Sequence, residues 1–403
     1  MSVQSGGHLR QAAFDSSDVG GPELCRLARP NQKEVMSRKE ISMTEKAATV
    51  RVQKDPPAPN GLLVVGVDTG YGNTKVYTMR SGQAKSVIFP SVTGRTTFTD
   101  DFMRTEAEVE FIARQPRFHD SPLNYGETAV RLNRGGQATN DRARFTREYN
   151  PLLTIAGLAR LIVKEQLPQK IDTLVVGLPV NYFRTYQTEV TEALQGEHAV
   201  TLYRESGAVL RDLKITVEQV MVIPQGYGAY LSWALNDQGG KIADRLVPTA
   251  VIDGGESTCD IVAAEGRYLD NLSKSIPSAL DEVYHELERQ IDEQTGTFVA
   301  RTQIEAYIRQ SKTLPASGRR LDLSVMRQQI IAHKAEEIVN RILTTVRPIQ
   351  PEHVLVCGGS GMELFEAIKK ALPMAERLEP MVMANAIGYY RYGVMRTQMA
   401  VAA

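Results

Sequence analysis

The sequence predicts an α/β protein made of two related lobes, each built around the same strand–turn–strand hairpin. Two stretches carry that expectation. In residues 62–77 a continuous apolar run with β-branched residues ends in Asp68-Thr69. Gly70 and Gly72 then flank Tyr71, Asn73 and Thr74 lead to Lys75, and β character resumes at Val76. Residues 250–262 repeat the design: an apolar strand, Asp253, Gly254-Gly255, Glu256-Ser257-Thr258, then Cys259-Asp260-Ile261-Val262. Superposing Asp68 on Asp253 brings Gly70 onto Gly255 and Val76 onto Ile261. Between and after the two copies, apolar strand runs alternate with helical patterns, as an α/β architecture requires.

The chemistry of the hairpin tips suggests an anion. Gly70 and Gly72 let bare backbone N–H groups approach a negative ligand closely. Lys75 adds a point charge for a phosphate, and Asp68 at a strand end can hold a hydrated Mg²⁺. No GxxxxGK(S/T) run occurs, so the loop is not of the Walker type. Glycine, asparagine and aspartate are also what ordinary turns use, and one copy reads equally well as a plain turn. Two copies point further, to two similar domains that face each other across one nucleotide.

Composition is that of a globular chain. The 403 residues suffice for two or more domains with substantial cores. Lys plus Arg equals Asp plus Glu at 47 each, so net charge points to neither nucleic acid nor membrane. No apolar run reaches the roughly 18 residues of a membrane helix, and the amino terminus lacks the apolar core of a signal peptide. Cys25, Cys259 and Cys357 show no metal-ligand or paired spacing. A reduced, cytoplasmic protein is expected.

In chain order, residues 1–60 lack sustained periodicity and end in a Pro-rich run, so they read as a disordered extension and linker. Met43 is an internal candidate start. Residues 86–92 read as a strand. The less regular segment 94–150 carries Arg131, Arg134, Arg142, Arg144 and Arg147, a basic patch that fits a solvated face or a contact with a neighbouring subunit or nucleic acid. An amphipathic helix follows at 151–166, with Leu152, Ile155, Leu158, Ala159, Ile162 and Val163 on one face. Strands are expected at 171–179, 199–203 and 215–222, a helix at 182–194, and another from the Pro224-Gln225-Gly226 element to about Leu235. Further strands are expected at 249–253, 258–264 and 268–273. Helices at 277–292, Arg301–Arg309 and Leu323–Val346 come next, with a turn at 315–318. The strand His353–Cys357 runs through Gly358-Gly359-Ser360-Gly361 into a helix at 363–371, a natural anion or ribose site. Domain I is expected at 61–247 with 384–403 returning to it, and domain II at 248–383.

The residues just quoted carry a family resemblance. The first hairpin resembles the first phosphate loop of the actin, Hsp70 and sugar-kinase superfamily, with the Asp68-to-Lys75 spacing of the actin branch. The second hairpin, with Asp253, Gly255, Thr258 and Asp260, is similar to the plasmid-segregation actins of the ParM/StbA type. Residues 354–362 resemble the adenosine motif, and residues 70–75 resemble the protein D group of plasmid PRTRC systems. Residues 126–130 resemble a recurring turn of these proteins. Gln225 falls in the first connecting segment, where a Glu or Gln faces the γ-phosphate, and residues 383–393 resemble the second connecting segment.

This resemblance implies an actin-like ATPase fold around a cleft that holds ATP (or GTP) and Mg²⁺. Residues 68–75 and 254–258 would clamp phosphates, Gly358, Gly359 and Ser360 would meet the nucleoside, and Asp68 and Asp253 would hold Mg²⁺. Gln225 and Asp253 would act in hydrolysis, slowed by a glutamine where many relatives carry a glutamate. The implied role is a head-to-tail, nucleotide-dependent filament in plasmid or DNA segregation, working through a DNA-binding adaptor, with no membrane and no direct nucleic-acid contact. Two other functions stay open: a nucleotide-dependent scaffold that does not polymerise, and a small-molecule kinase. The kinase wants a carboxylate base, which the segment after Pro224 lacks.

Overall fold

The computed structural model describes residues 61–96, 98, 111–132, 149–277, 279–309 and 312–402. The N-terminal extension and Arg134, Arg142, Arg144 and Arg147 lie outside these residues.

Lobe I starts with β1 (Val64–Thr69), which is buried at every position as its unbroken apolar run requires. It continues through β2 (Asn73–Arg80), β3 (Gln83–Pro90), β4 (Thr93–Arg95), β5 (Ile112–Gln115) and β6 (His119–Tyr125). Helices α1 (Gly126–Leu132) and α2 (Tyr149–Glu165) precede β7 (Lys170–Leu178), α3 (Val180–Leu194), β8 (Gly196–Tyr203), β9 (Val209–Pro224) and α4 (Tyr227–Ala234). The strands form one sheet in the order β3-β2-β1-β7-β9-β8-β5-β6-β4. Its centre is parallel, β7 lying between β1 and β9, because helical crossovers separate those strands in the chain.

Lobe II contains β10 (Thr249–Gly254), β11 (Thr258–Ala264), β12 (Lys274–Pro277), α5 (Ala279–Thr295) and α6 (Arg301–Arg309). After the hairpin β13 (Leu314–Ala316) and β14 (Arg319–Leu321) come α7 (Leu323–Val346), β15 (His353–Cys357), α8 (Gly359–Ala371) and β16 (Ala375–Arg377). Its main sheet runs β12-β11-β10-β15-β16. The last helix, α9 (Ala384–Ala402), returns to lobe I: a Cβ on Gly66 of β1 would lie 2.2 Å from the Ala386 carbonyl oxygen. Each lobe has its own apolar core. A third core, with Val175, Tyr230, Val251, Leu355 and Tyr389, joins α4 and α9 to both sheets.

Several local expectations give way to packing. Helix α2 is buried around most of its circumference, Leu153, Ala156 and Leu161 included, because it is covered on more than its sheet side. Residues 126–130 are the start of α1 rather than a turn. The strand expected at 268–273 is an isolated bridge at Tyr268 and a helical turn over Asp270–Leu272; pairing resumes in β12. Helix α8 begins at Gly359, four residues before the expected 363, because Gly358 at φ 80° turns the chain directly into it. Residues 315–318 are the tip of the β13–β14 hairpin.

Candidate functional site

The two repeated hairpins face one another across a cavity of about 410 Å³. The tips nearly touch: a Cβ on Gly72 would fall 2.1 Å from Glu256 Oε2, so no larger residue fits there without moving the glutamate. The first turn of α8 borders the same space, Gly358, Gly359 and Ser360 lining it. Asp68, Gly70, Tyr71, Gly72, Asn73, Lys75, Gln225, Asp253, Gly254, Gly255, Glu256 and Thr258 complete the sequence-derived part of the lining. Three expected residues are turned elsewhere. The Thr69 hydroxyl meets that of Thr154 at 3.0 Å, and the Thr74 hydroxyl meets that of Ser91 at 2.9 Å, both in the lobe I core. The Ser257 hydroxyl is buried away from the lining and lacks a hydrogen-bond partner. These three can reach a ligand through their backbone alone.

In the first hairpin the antiparallel register sets Asp68 opposite Lys75, and Lys75 Nζ donates to Asp68 Oδ2 at 2.8 Å. The tip is closed by Gly70 N–H donating to the Asn73 carbonyl at 3.1 Å. Gln225 follows β9, is fixed by its N–H to the Leu178 carbonyl (2.7 Å), and donates Nε2 to Asp68 Oδ1 at 3.3 Å. Burial pulls the Lys75 ammonium toward neutrality, but the Asp68 contact and the charge of Asp253 outweigh it and hold its pKa above the ordinary value.

In the second hairpin Gly255 N–H donates to the Thr258 carbonyl at 2.9 Å. Ser360 Oγ donates to the Gly255 carbonyl at 2.8 Å, pinning the start of α8 to the turn. Only a glycine fits at 358, since a Cβ there would sit 2.4 Å from the Gly254 carbonyl oxygen and 2.7 Å from Asp253 Oδ1. Asp253 Oδ2 accepts from Asn385 Nδ2 at 2.7 Å. Burial first, and then the charge of Asp68, raise the Asp253 pKa.

Sequence reasoning assigned no role to the other lining residues. Asp260, opposite Asp253 in the β10–β11 register, accepts from the Ser275 hydroxyl, and burial pushes its pKa up to about 8. It brings to the cavity the carboxylate that the segment after Pro224 lacks. Tyr284 also lines the cavity, and its ring packs against the guanidinium groups of Arg301 (4.6 Å) and Arg327 (5.4 Å). Arg327 pairs with Glu363 at 2.6 Å and Arg301 with Glu305 at 2.9 Å. Burial and the neighbouring Glu256 raise the Glu305 pKa. Asn385 is the other omission; it sits among small residues on the last helix, and nothing local marks it. The Arg301–Glu305 spacing is a readable signal on α6, but the partners of that pair come from α5, with Asp281 and Tyr284, and from Glu256 of the second hairpin.

The lining suits a nucleoside triphosphate that arrives with a cation. Asp68 is already neutralised by Lys75 and Glu256 is paired with Arg301 at 3.4 Å, so it is Asp253 and Asp260, once ionised, that would repel bare phosphates. Among the described residues no group of three or more His, Cys, Asp or Glu is arranged to hold a metal alone. Mg²⁺ fits such a site, because it takes one or two carboxylates and completes its shell with water and phosphate oxygens. Asp253 fits as the carboxylate, whereas both oxygens of Asp68 already accept hydrogen bonds and leave it contact through metal-bound water.

Comparison with known proteins gives a consistent picture. Residues 66–228 match the model of the N-terminal domain of actin-like proteins, and residues 251–370 match the C-terminal domain of the archaeal MreB-like actin homologue. An archaeal actin homologue of Thermoplasma volcanium is 25% identical over 356 residues, covering 81% of this chain and 98% of the relative. A 15-stranded ParM filament from Clostridium botulinum has a chain with a TM-score of 0.65 and 19% identity, covering 82% of this chain and 99% of that one. An archaeal actin homologue in complex with ADP gives a TM-score of 0.59 at 21% identity, covering 83% and 100%. At such identities the structural likeness concerns the fold. No helix among the described residues is long and apolar enough to cross a membrane.

Proposed function

Because this chain belongs to the actin-like superfamily, we propose that it binds ATP, or GTP in the same place, between its lobes and hydrolyses it to control its own assembly into filaments. The observation that carries this reading is the meeting of the two hairpins, Gly72 against Glu256, with Asp68 and Asp253 on the walls of one cavity. In this reading the backbone of residues 70–74 and of 254–258 grips the phosphates from opposite sides. Lys75 adds positive charge, and the nucleoside lies toward Tyr284, Glu305, Arg327 and the α8 turn. Gln225, held by Asp68, orients the attacking water, and Asp253 holds Mg²⁺. When bound, Mg²⁺ neutralises charge that builds on the phosphates. The closer grouping with ParM/StbA-type actins and the PRTRC protein D group rests on residues 70–75 and 253–260.

A triphosphate that touches both hairpins favours the closed arrangement of the lobes, since a ligand shifts an equilibrium only by its differential contacts. If closure aligns the surfaces that join neighbours, the product is a head-to-tail filament, and loss of the γ-phosphate loosens it. Plasmid or DNA segregation in the cytoplasm, through a DNA-binding adaptor, is the use this cycle suits. The test is sedimentation with Mg-ATP, a slowly hydrolysed analogue, ADP and no nucleotide. Pelleting with ATP and the analogue, and less with ADP, is expected. Equal pelleting in all four, or none at any practical concentration, moves the assignment to a nucleotide-dependent scaffold that does not polymerise.

A further inference from the structure

We propose that Asn385 is a positioning residue that ties the Asp253 carboxylate to the crossing of α4 and α9, so that what Asp253 binds sets how those helices sit. The proposal rests on the nucleotide reading above and names the residue that carries the signal out of the cleft. The Asn385 side-chain oxygen accepts two bonds at the start of α4, from Gly226 N–H at 3.0 Å and Ala229 N–H at 2.9 Å. Gly226, the residue that begins the helix, has no side chain with which to cap it, so Asn385 supplies the cap from another helix. Two backbone donors fix the orientation of the carboxamide, because a flipped amide would set N–H against N–H. Its nitrogen is thereby aimed at Asp253 Oδ2, 2.7 Å away. Asn385 is 6% exposed, so little solvent reaches these bonds.

The crossing has little slack to absorb a movement of Asn385. A Cβ on Gly388 would lie 1.7 Å from the Gly228 carbonyl oxygen, so the two helix backbones are in direct contact. Ala386, the next residue after Asn385, backs onto Gly66 of β1, the strand that carries Asp68. One short segment of α9 therefore touches one hairpin by a side-chain hydrogen bond and the strand of the other by backbone packing. Occupancy of Asp253 is felt through Asn385 by α4 and α9 together, the two helices that join the lobes.

A reporter is built in. Trp233, the single tryptophan of the chain, lies on α4, its ring 5.0 Å from that of His353 and 5.3 Å from the Arg245 guanidinium. Its emission responds to displacement of α4 relative to β15. Asn385→Asp separates the two halves of the role: both oxygens can still accept at the α4 N-terminus, but the donor to Asp253 becomes an acceptor. Asn385→Ala removes the cap as well.

The experiment uses the full chain. Nucleotide binding is measured by calorimetry, kcat and KM by phosphate release, and Trp233 emission with Mg-ATP and with ATP plus EDTA. The wild type should change emission with Mg-ATP and much less with EDTA present. Asn385→Asp should lose that response and about tenfold to a hundredfold in kcat, the worth of a hydrogen bond to a charged group, with KM shifted less than about threefold. Asn385→Asp with wild-type kcat and emission response would overturn the proposal. Should both variants fail to fold, the wild type decides alone: equal emission with and without Mg²⁺, at saturating nucleotide, also overturns it. A wild type that binds no Mg-ATP by calorimetry fails the nucleotide reading itself, an outcome seen before any variant is made.

Discussion

Asp68 is bonded by a cation, Lys75, and by Gln225, whereas Asp253 is held by the neutral carboxamide of Asn385 and by the Cys357 thiol. The backbones of the two hairpins follow one plan: strand, aspartate, glycine turn, antiparallel strand. The position that holds lysine in the first hairpin holds Asp260 in the second. The first aspartate is thus compensated within its own hairpin. The second is a buried acid with another buried acid across the strand pair; burial first, and then the charge of Asp68, raise its pKa. A buried charge without a partner is costly, so the second hairpin is the one that gains from an external cation. The two hairpins share one geometry, and one cross-strand residue, Lys75 in the first and Asp260 in the second, sets their aspartates apart.

The largest expected effect tests that asymmetry directly. Asp253→Ala should lower Mg²⁺-dependent turnover about a hundredfold or more, since it removes a group acting on transition-state charge. Asp68→Ala should instead strand the largely buried Lys75 and reduce stability by about 3 kcal/mol, the usual loss when one member of a buried pair is deleted. Mg²⁺ titrations of turnover together with melting curves check both; equal Mg²⁺ dependence in the two variants would remove the distinction between the hairpins.

Gln225→Ala should have a smaller effect, about a tenfold loss of hydrolysis rate with ATP affinity largely kept, because its contribution is felt in the transition state. Its bond to Asp68 offers the competing outcome. A loss of affinity as large as the loss of rate would make Gln225 a support for the first hairpin instead of a water-orienting group.

The smallest effect concerns Asp260. Its folded pKa is raised from an ordinary 3.8 to about 8, so between those values the folded chain binds more protons than the unfolded one. The stabilisation is complete below the unfolded pKa and is lost as pH rises through the folded one. Without nucleotide and with EDTA present, the melting temperature should fall as pH rises from 5 to 8. Asp260→Asn should flatten that slope, and Asp253 and Glu305, shifted in the same direction, leave a remainder. A melting temperature independent of pH across this range in the wild type would show that the charge of Asp260 is compensated.

The sequence by itself determined what depends on neighbours in the chain. Both hairpins, helices α6 and α7 and strand β15 lie where periodicity and turn chemistry predict them, because their signals fall within a few residues. The same locality makes Asp68, Gly70, Lys75, Asp253 and Gly255 legible as a pair of matching turns, which the fold sets on one cavity. Other features arose from packing between distant segments. α2 was predicted as amphipathic, yet its second face is covered as well. Tyr284 carries no sign in its own helix of the two arginines that pack on its ring from α6 and α7. Asp260 is part of the second-hairpin pattern in the sequence, but only the fold places it, buried, in the cavity wall. Asn385 lies 132 residues along the chain from Asp253, and their 2.7 Å bond exists because Gly66, Gly228 and Gly388 let α9 lie directly against β1 and α4. The small residues Ala384, Ala386 and Gly388 make a close crossing with the helix after Gln225 legible, but which side chains the crossing brings together depends on both surfaces.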